Sequence, residues 1–262
     1  RIDSLPADSF YMLAPASVRA VRADENAPFS KSNLTKKDIN LLNQGVDLPS
    51  VLGSLPSVVI HSDAGNGIGY TGLRIRGTDA TRINITLNGI PFNDAESQGT
   101  FFVNLPDFIS SASSIQVQRG VGTSSNGAGA FGASVNISTL EREKEKYIEL
   151  NNSIGSFNTR KHTLKFSTGT RKGFFISGRL SSIQSDGFID RARSDLKAFY
   201  VSTGYSKDSN SIIRLNIFSG KEKTYQAWYG ISETDLLAGN RRINYAGTEK
   251  PGSPYENETD NY

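Results

Sequence analysis

Cysteine is absent from the 262 residues, so the chain has no disulfide, no thiolate metal site and no thiol nucleophile. Histidine is almost absent. His61 and His162 stand about a hundred positions apart, which makes no histidine-rich metal centre unaided. No G-x-S-x-G elbow is present to activate a serine. No run reaches the roughly 18–20 apolar residues of a membrane helix. Nor does an apolar leader core follow Arg1-Ile2-Asp3-Ser4, although a secreted chain whose leader has been removed looks the same. Membrane strands stay open, because each is a weak signal on its own. Charge of one sign is also scarce: the net is +3, with 10 Lys/Arg against 11 Asp/Glu over residues 1–140 and 19 against 15 over residues 141–262. The basic second half carries no nucleic-acid motif, so nucleic acid is not an expected partner.

Glycine and aromatics are what the chain has in quantity: 25 Gly, 14 Phe and 10 Tyr. Between Gly72 and Leu140, four short β-branched runs each close on turn-forming residues. They are Leu73-Arg74-Ile75-Arg76-Gly77, Ile83-Asn84-Ile85-Thr86-Leu87-Asn88-Gly89-Ile90-Pro91, Ile115-Gln116-Val117-Gln118-Arg119-Gly120, and Gly127 through Thr139. Apolar and polar residues alternate in the first three, so each strand has one core face and one polar face. Gly127, Gly129 and Gly132 form a literal G-x-G-x-x-G. A dinucleotide site needs a helix after it, whereas Ser134-Val135-Asn136-Ile137-Ser138 is a strand pattern. A nucleotide-dependent enzyme would require that helix. Asp94 with Glu96 and Asp186 with Asp190 are paired carboxylates without a partner histidine, which suits solvated loops better than catalysis. No catalytic residue, metal ligand or cofactor is assigned.

These runs, in this order, resemble the plug domain of TonB-dependent outer-membrane receptors. The family pattern has an "IRIRG" strand, a strand ending in "-DG-P", a "-I-V-RGP" strand and a Gly-rich close. Asn88 stands where Asp is usual, Val121 replaces a Pro and Ser134 replaces a Gly. Ser57 likewise stands for Gly in Leu55-Pro56-Ser57-Val58-Val59-Ile60, which matches the family's "-PGV-V-" segment. None of these changes breaks a strand.

The rest of the first half fits an α+β plug, a small mixed sheet with short helices. Residues 1–30 carry Pro6, Pro15 and Pro28 and read as an extended arm. The resemblance implies an energy-coupling TonB box there, at Val18, Arg19, Ala20 and Val21, which would add as a strand to the periplasmic domain of TonB. Thr35 and Asp38 form a capping box for one helix, and Asp47-Leu48-Pro49 opens a second that ends at Gly53. Asp63 to Gly72, with four Gly in ten residues, reads as a flexible loop. The plug is expected over residues 31–140.

Residues 141–262 are expected to supply about five antiparallel strands of a large transmembrane β-barrel, incomplete in this chain. Short connections such as Gly169 to Gly173 alternate with long ones such as Gly187 to Leu196, as in outer-membrane barrels. Leu164, Phe166, Ile176, Leu180, Ile213, Leu215 and Ile217 would face lipid, and Lys165, Arg179 and Arg214 the lumen. A soluble β-sandwich with one wet face is the alternative, disfavoured by the plug-like domain ahead of it. Five strands cannot close a barrel whose relatives have about 22, so the sequence is expected to be an N-terminal portion of a longer protein.

The resemblance implies an importer that binds a scarce nutrient, first of all a ferric siderophore or other iron complex; haem, cobalamin and oligosaccharide are alternative substrates. It places the protein in the outer membrane of a Gram-negative bacterium, with lipid, TonB and the nutrient as partners. Arg76 and Arg119 would latch the plug to wall carboxylates. Substrate contacts are expected from Asn66, Tyr70, Asn93 and Gln98 on plug loops and from Tyr225, Trp228 and Tyr229 after the fifth wall strand. A non-transporting barrel used for signalling or surface assembly is the second reading.

Overall fold

The computed structural model describes residues 22–24, 27–121, 130–139, 143–206, 211–225 and 227–246. The expected TonB box, residues 18–21, lies outside these, as do Gly127 and Gly129.

The plug is built on a five-stranded mixed sheet. Its strands are β1 (Lys31–Thr35), β4 (Ile83–Leu87), β5 (Ile90–Pro91), β6 (Ser114–Arg119) and β7 (Ala133–Ser138), in spatial order β1-β6-β7-β4-β5. All pairs are antiparallel except β4 with β7, which run parallel. The alternation read in the sequence is realised: Ile83, Ile85, Ile115, Val117, Val135 and Ile137 are all buried in one core with Leu73 and Ile75. The polar face is buried too, and side chains bond one another across it. Thr86 Oγ1 donates to Asn136 Oδ1 at 2.7 Å, and Gln118 Nε2 to Gln116 Oε1 at 2.8 Å.

Two short helices pack into the same plug core: α1 (Lys36–Leu42) and α2 (Leu48–Leu52). Thr35 and Asp38 close the expected capping box on α1, and Pro49 sits in the first turn of α2. A separate hairpin pairs β2 (Val58–Ser62) with β3 (Thr71–Ile75). The loop between them is not the open loop that its glycines suggest. Ala64 and Ile68 are buried, and Ile68 packs with Val103, Ile183 and Leu196. After Gly132 the chain enters β7 rather than a helix, so the G-x-G-x-x-G has no helix N-terminus for a pyrophosphate. Gly132 is needed for close approach instead: a Cβ there would stand 2.4 Å from Thr78 Oγ1 and 2.7 Å from the Arg82 carbonyl.

The second half is a five-stranded antiparallel sheet of consecutive neighbours: β8 (Lys146–Gly155), β9 (Thr159–Arg171), β10 (Phe174–Ser185), β11 (Ser194–Ser206) and β12 (Ile212–Thr224). Its strands run 10–13 residues, the length at which a tilted strand crosses a bilayer. Residues 172–173 make one tight turn, and longer connections lie at the opposite end. Period two sorts the side chains. Ile148, Leu150, Leu180, Ile213, Leu215 and Ile217 are exposed on the outer face. Lys161, Thr163, Arg179, Ser181, Leu196 and Tyr200 are buried on the inner face, against the plug.

Candidate functional site: the plug–wall contact and the long-loop rim

Asp107 lies at the centre of the plug–wall contact. It holds a left-handed backbone (φ 53) just before the 3-10 turn Phe108–Ser111. A non-glycine residue in that region costs about 1–2 kcal/mol, and here it aims the carboxylate at the wall. Oδ1 lies 2.6 Å from Lys161 Nζ and accepts from Ser110 Oγ at 2.5 Å. Oδ2 accepts from Thr163 Oγ1 at 2.8 Å and Ser181 Oγ at 2.5 Å, and lies 3.7 Å from Arg179 Nη1. Burial opposes its charge, but the Lys161 and Arg179 cations and the Lys161 and Ser110 hydrogen bonds outweigh it and hold the carboxyl below its ordinary range. Lys161 also donates to Asn43 Oδ1 at 3.0 Å. Phe108 adds an apolar anchor, edge-on to Tyr200 and to Phe218.

The sequence reading anticipated plug arginines meeting wall acids; this contact is a plug acid meeting wall bases. Lys165, Arg179 and Arg214, the expected inward cations, are indeed half-buried or buried. Arg119 bonds within the plug, with Nε on Ser30 Oγ at 3.1 Å and Nη1 on Ser32 Oγ at 2.8 Å. Arg76 has φ 53, and its Nη1 stands 2.8 Å from where a Cβ on Gly120 would be. The two arginines therefore share one corner of the plug.

Further back along β6 the segment leading out of the arm is fastened to the sheet. Gln116 mimics a strand: its Oε1 accepts from Ala23 N–H at 2.8 Å and its Nε2 donates to the Ala23 carbonyl at 2.9 Å. Arg22 donates to the carbonyls of Ser114 and Asn136.

At the long-loop end, part of the expected substrate set converges. Tyr70 meets Trp228 edge-on with centroids 6.0 Å apart, and Trp228 lies 6.3 Å from Tyr229. Tyr225 and Trp228 are about half exposed. Asn66 is committed to the wall, donating to Ser185 Oγ at 2.6 Å. Asn93 is committed to its own turn, accepting from Ile85 N–H and donating to the carbonyls of Ile83 and Gln98. Gln98, at φ 60, bonds back to Ala95. Sequence reasoning missed the second layer of this rim, where Arg242 lies over Phe157 and Phe188 and pairs with Asp190 at 3.3 Å.

Beneath the rim, Asp47 supports the loop that carries Tyr70. Its Oδ2 accepts from Gly69 N–H at 2.9 Å and Thr71 Oγ1 at 3.4 Å. Burial pushes this carboxyl up to about 7, against the pull of Gly69 N–H and with a further push from the Asp107 charge.

The family model for the TonB-dependent Receptor Plug Domain matches residues 23–134. Residues 23–134 are a TonB-dependent receptor plug domain. Three solved structures show how far the receptor fold extends through it. The copper transporter OprC is 19% identical with a TM-score of 0.63, covering 79% of this chain and 32% of its own. The ferric citrate transporter FecA, unliganded, is 19% identical with a TM-score of 0.63, covering 82% and 34%. The ferric yersiniabactin uptake receptor FyuA from Yersinia pestis is 15% identical with a TM-score of 0.57, covering 75% and 32%. This chain therefore spans about a third of their length. No curated protein matches it.

The fold is thus a receptor plug followed by antiparallel strands of a partial barrel, as the sequence implied. The family is one of receptors and transporters of the Gram-negative outer membrane rather than of enzymes. Among the described residues no helix is long and apolar enough to cross a membrane, which says nothing of strands.

Proposed function

We propose that this chain is the plug and first wall strands of an energy-coupled outer-membrane importer whose cargo is a ferric siderophore or another iron complex. The observation that carries the reading is the Asp107 contact. It fastens a plug to the polar inner face of strands whose outer face is apolar, the arrangement of a closed pore in lipid. Cargo meets the Tyr70–Trp228–Tyr229 rim. TonB takes hold of residues 18–21, and force drawn from the inner-membrane proton gradient rearranges the plug. Arg76 and Arg119 share one corner of the plug and join it to wall carboxylates.

Donor chemistry favours a cargo that brings its own chelator. Bare copper seeks thiolate, thioether or imidazole ligands, and the rim residues Tyr70, Trp228 and Tyr229 offer none of these. An aromatic rim suits a flat, partly apolar chelate.

Uptake of radio-iron from a panel of chelates tests the proposal in cells making the full-length receptor. Accumulation is expected from at least one chelate, and it should vanish with a protonophore or on deletion of Val18 to Val21. Equal accumulation with and without the proton gradient overturns it.

A further inference from the structure

The outer face of the wall sheet is graded along its strands. Near the tight-turn end, Phe174 lies against Tyr205 with ring centroids 4.5 Å apart. An apolar band follows. Towards the long-loop end the band stops at Lys197 and Lys221, which are opposed residue for residue across β11 and β12. Like charges placed directly opposite destabilise a sheet. Neither lysine has an ion pair or hydrogen bond among the described residues. The charges around them do not offset the repulsion: Arg160 and His162 lie on the same outer face, and Asp195 is opposed to Lys223.

Beneath the lysine pair runs a groove of about 550 Å³, within the ordinary range for a ligand site of roughly 300–1,000 Å³. Leu150, Leu164, Leu180 and Phe199 line it, with Ser182 and Ser219 giving it depth through their short side chains. Both lysines line the same groove.

We infer that this groove holds one acyl lipid with a phosphate headgroup, taken from the leaflet at the long-loop end. The acyl chain lies along the leucines and Phe199, and the phosphate bridges Lys197 and Lys221. The polarity matches along the whole length: hydrocarbon against hydrocarbon, and a dianion against two cations that otherwise repel. An uncharged lipid leaves the cations repelling one another. Free phosphate leaves the groove unfilled and meets only two exposed side chains. The inference rests on the reading that the outer face meets lipid.

Native mass spectrometry of the full-length receptor in detergent tests it, with dimyristoyl phosphatidic acid, dimyristoylglycerol and inorganic phosphate as probes. One phosphatidic acid is expected to stay bound, with neither of the other probes retained or able to displace it. The K197Q/K221Q variant is expected to weaken retention about thirtyfold, and Ser182→Trp, which fills the groove without touching the charges, should also expel the lipid. Equal retention by wild type and K197Q/K221Q overturns the inference, as does displacement by inorganic phosphate. Fractionation keeps the two readings apart. A wild-type receptor absent from the membrane fraction sinks the importer reading, whereas one inserted there and carrying no lipid sinks only this one.

Discussion

Two residues carry predictions of their own. Ser57 has φ 64, a conformation that glycine adopts freely and serine does not. Ser57→Gly is expected to stabilise the plug by about 1 kcal/mol, visible as a higher unfolding midpoint in denaturant. Asp47 is the second. Its carboxyl titrates near 4 in an unfolded chain and at about 7 here, because of burial. The folded state binds its proton more tightly, so its contribution to stability is complete below about pH 4. That contribution is lost as pH rises towards 7. Asp47→Asn should flatten that dependence and raise stability at pH 8 by on the order of 2 kcal/mol; chemical unfolding at pH 5 and pH 8 checks both. Asn88 shows the opposite case, a departure from the usual Asp that costs nothing. With Gly89 it gives two successive positive φ angles between Leu87 and Ile90, as a two-residue hairpin turn requires.

At the scale of elements, legibility followed periodicity. The strands β4, β6 and β9 to β12 announce themselves by alternation, and α1 by its cap. β1 does not: Lys31-Ser32-Asn33-Leu34-Thr35 has one apolar residue in five and is a strand only because β6 pairs with it. The packed loop between β2 and β3 was likewise hidden, since its glycines signal freedom while Ile68 is held by residues of β10 and β11. Face assignment in the wall was legible because charge facing lipid is costly. Leu215→Arg, on the outer face, should reduce folding stability by about 2–4 kcal/mol near the midplane. Asn216→Arg, one residue on and facing inward, should fold nearly as wild type. Refolding into lipid vesicles, followed by heat-modifiable gel mobility, distinguishes them.

Across the whole molecule the decisive contact joins residues 54 and 72 positions apart: Asp107 to Lys161 and Arg179. Nothing local marks Asp107, and no spacing rule links it to its partners. That is why the family resemblance was readable and the wall contact was not. Removing one member of a buried charged cluster leaves the others uncompensated, at about 3–5 kcal/mol. Asp107→Asn should therefore loosen the plug in the full-length receptor. Cells making it are expected to admit small hydrophilic antibiotics that the wild type excludes, measured as a lowered inhibitory concentration.

The parallel pairing of β4 with β7 bears on timing. β7 sits at the middle of the plug sheet, between β6 and β4, yet it is the last plug strand to be synthesised. The first wall strand begins eight residues after it ends, at Lys146. A nascent chain thus cannot complete its plug until the wall is about to start. The keystone of the stopper is thus its final piece, and the sheet closes no earlier than the moment the first stave is made.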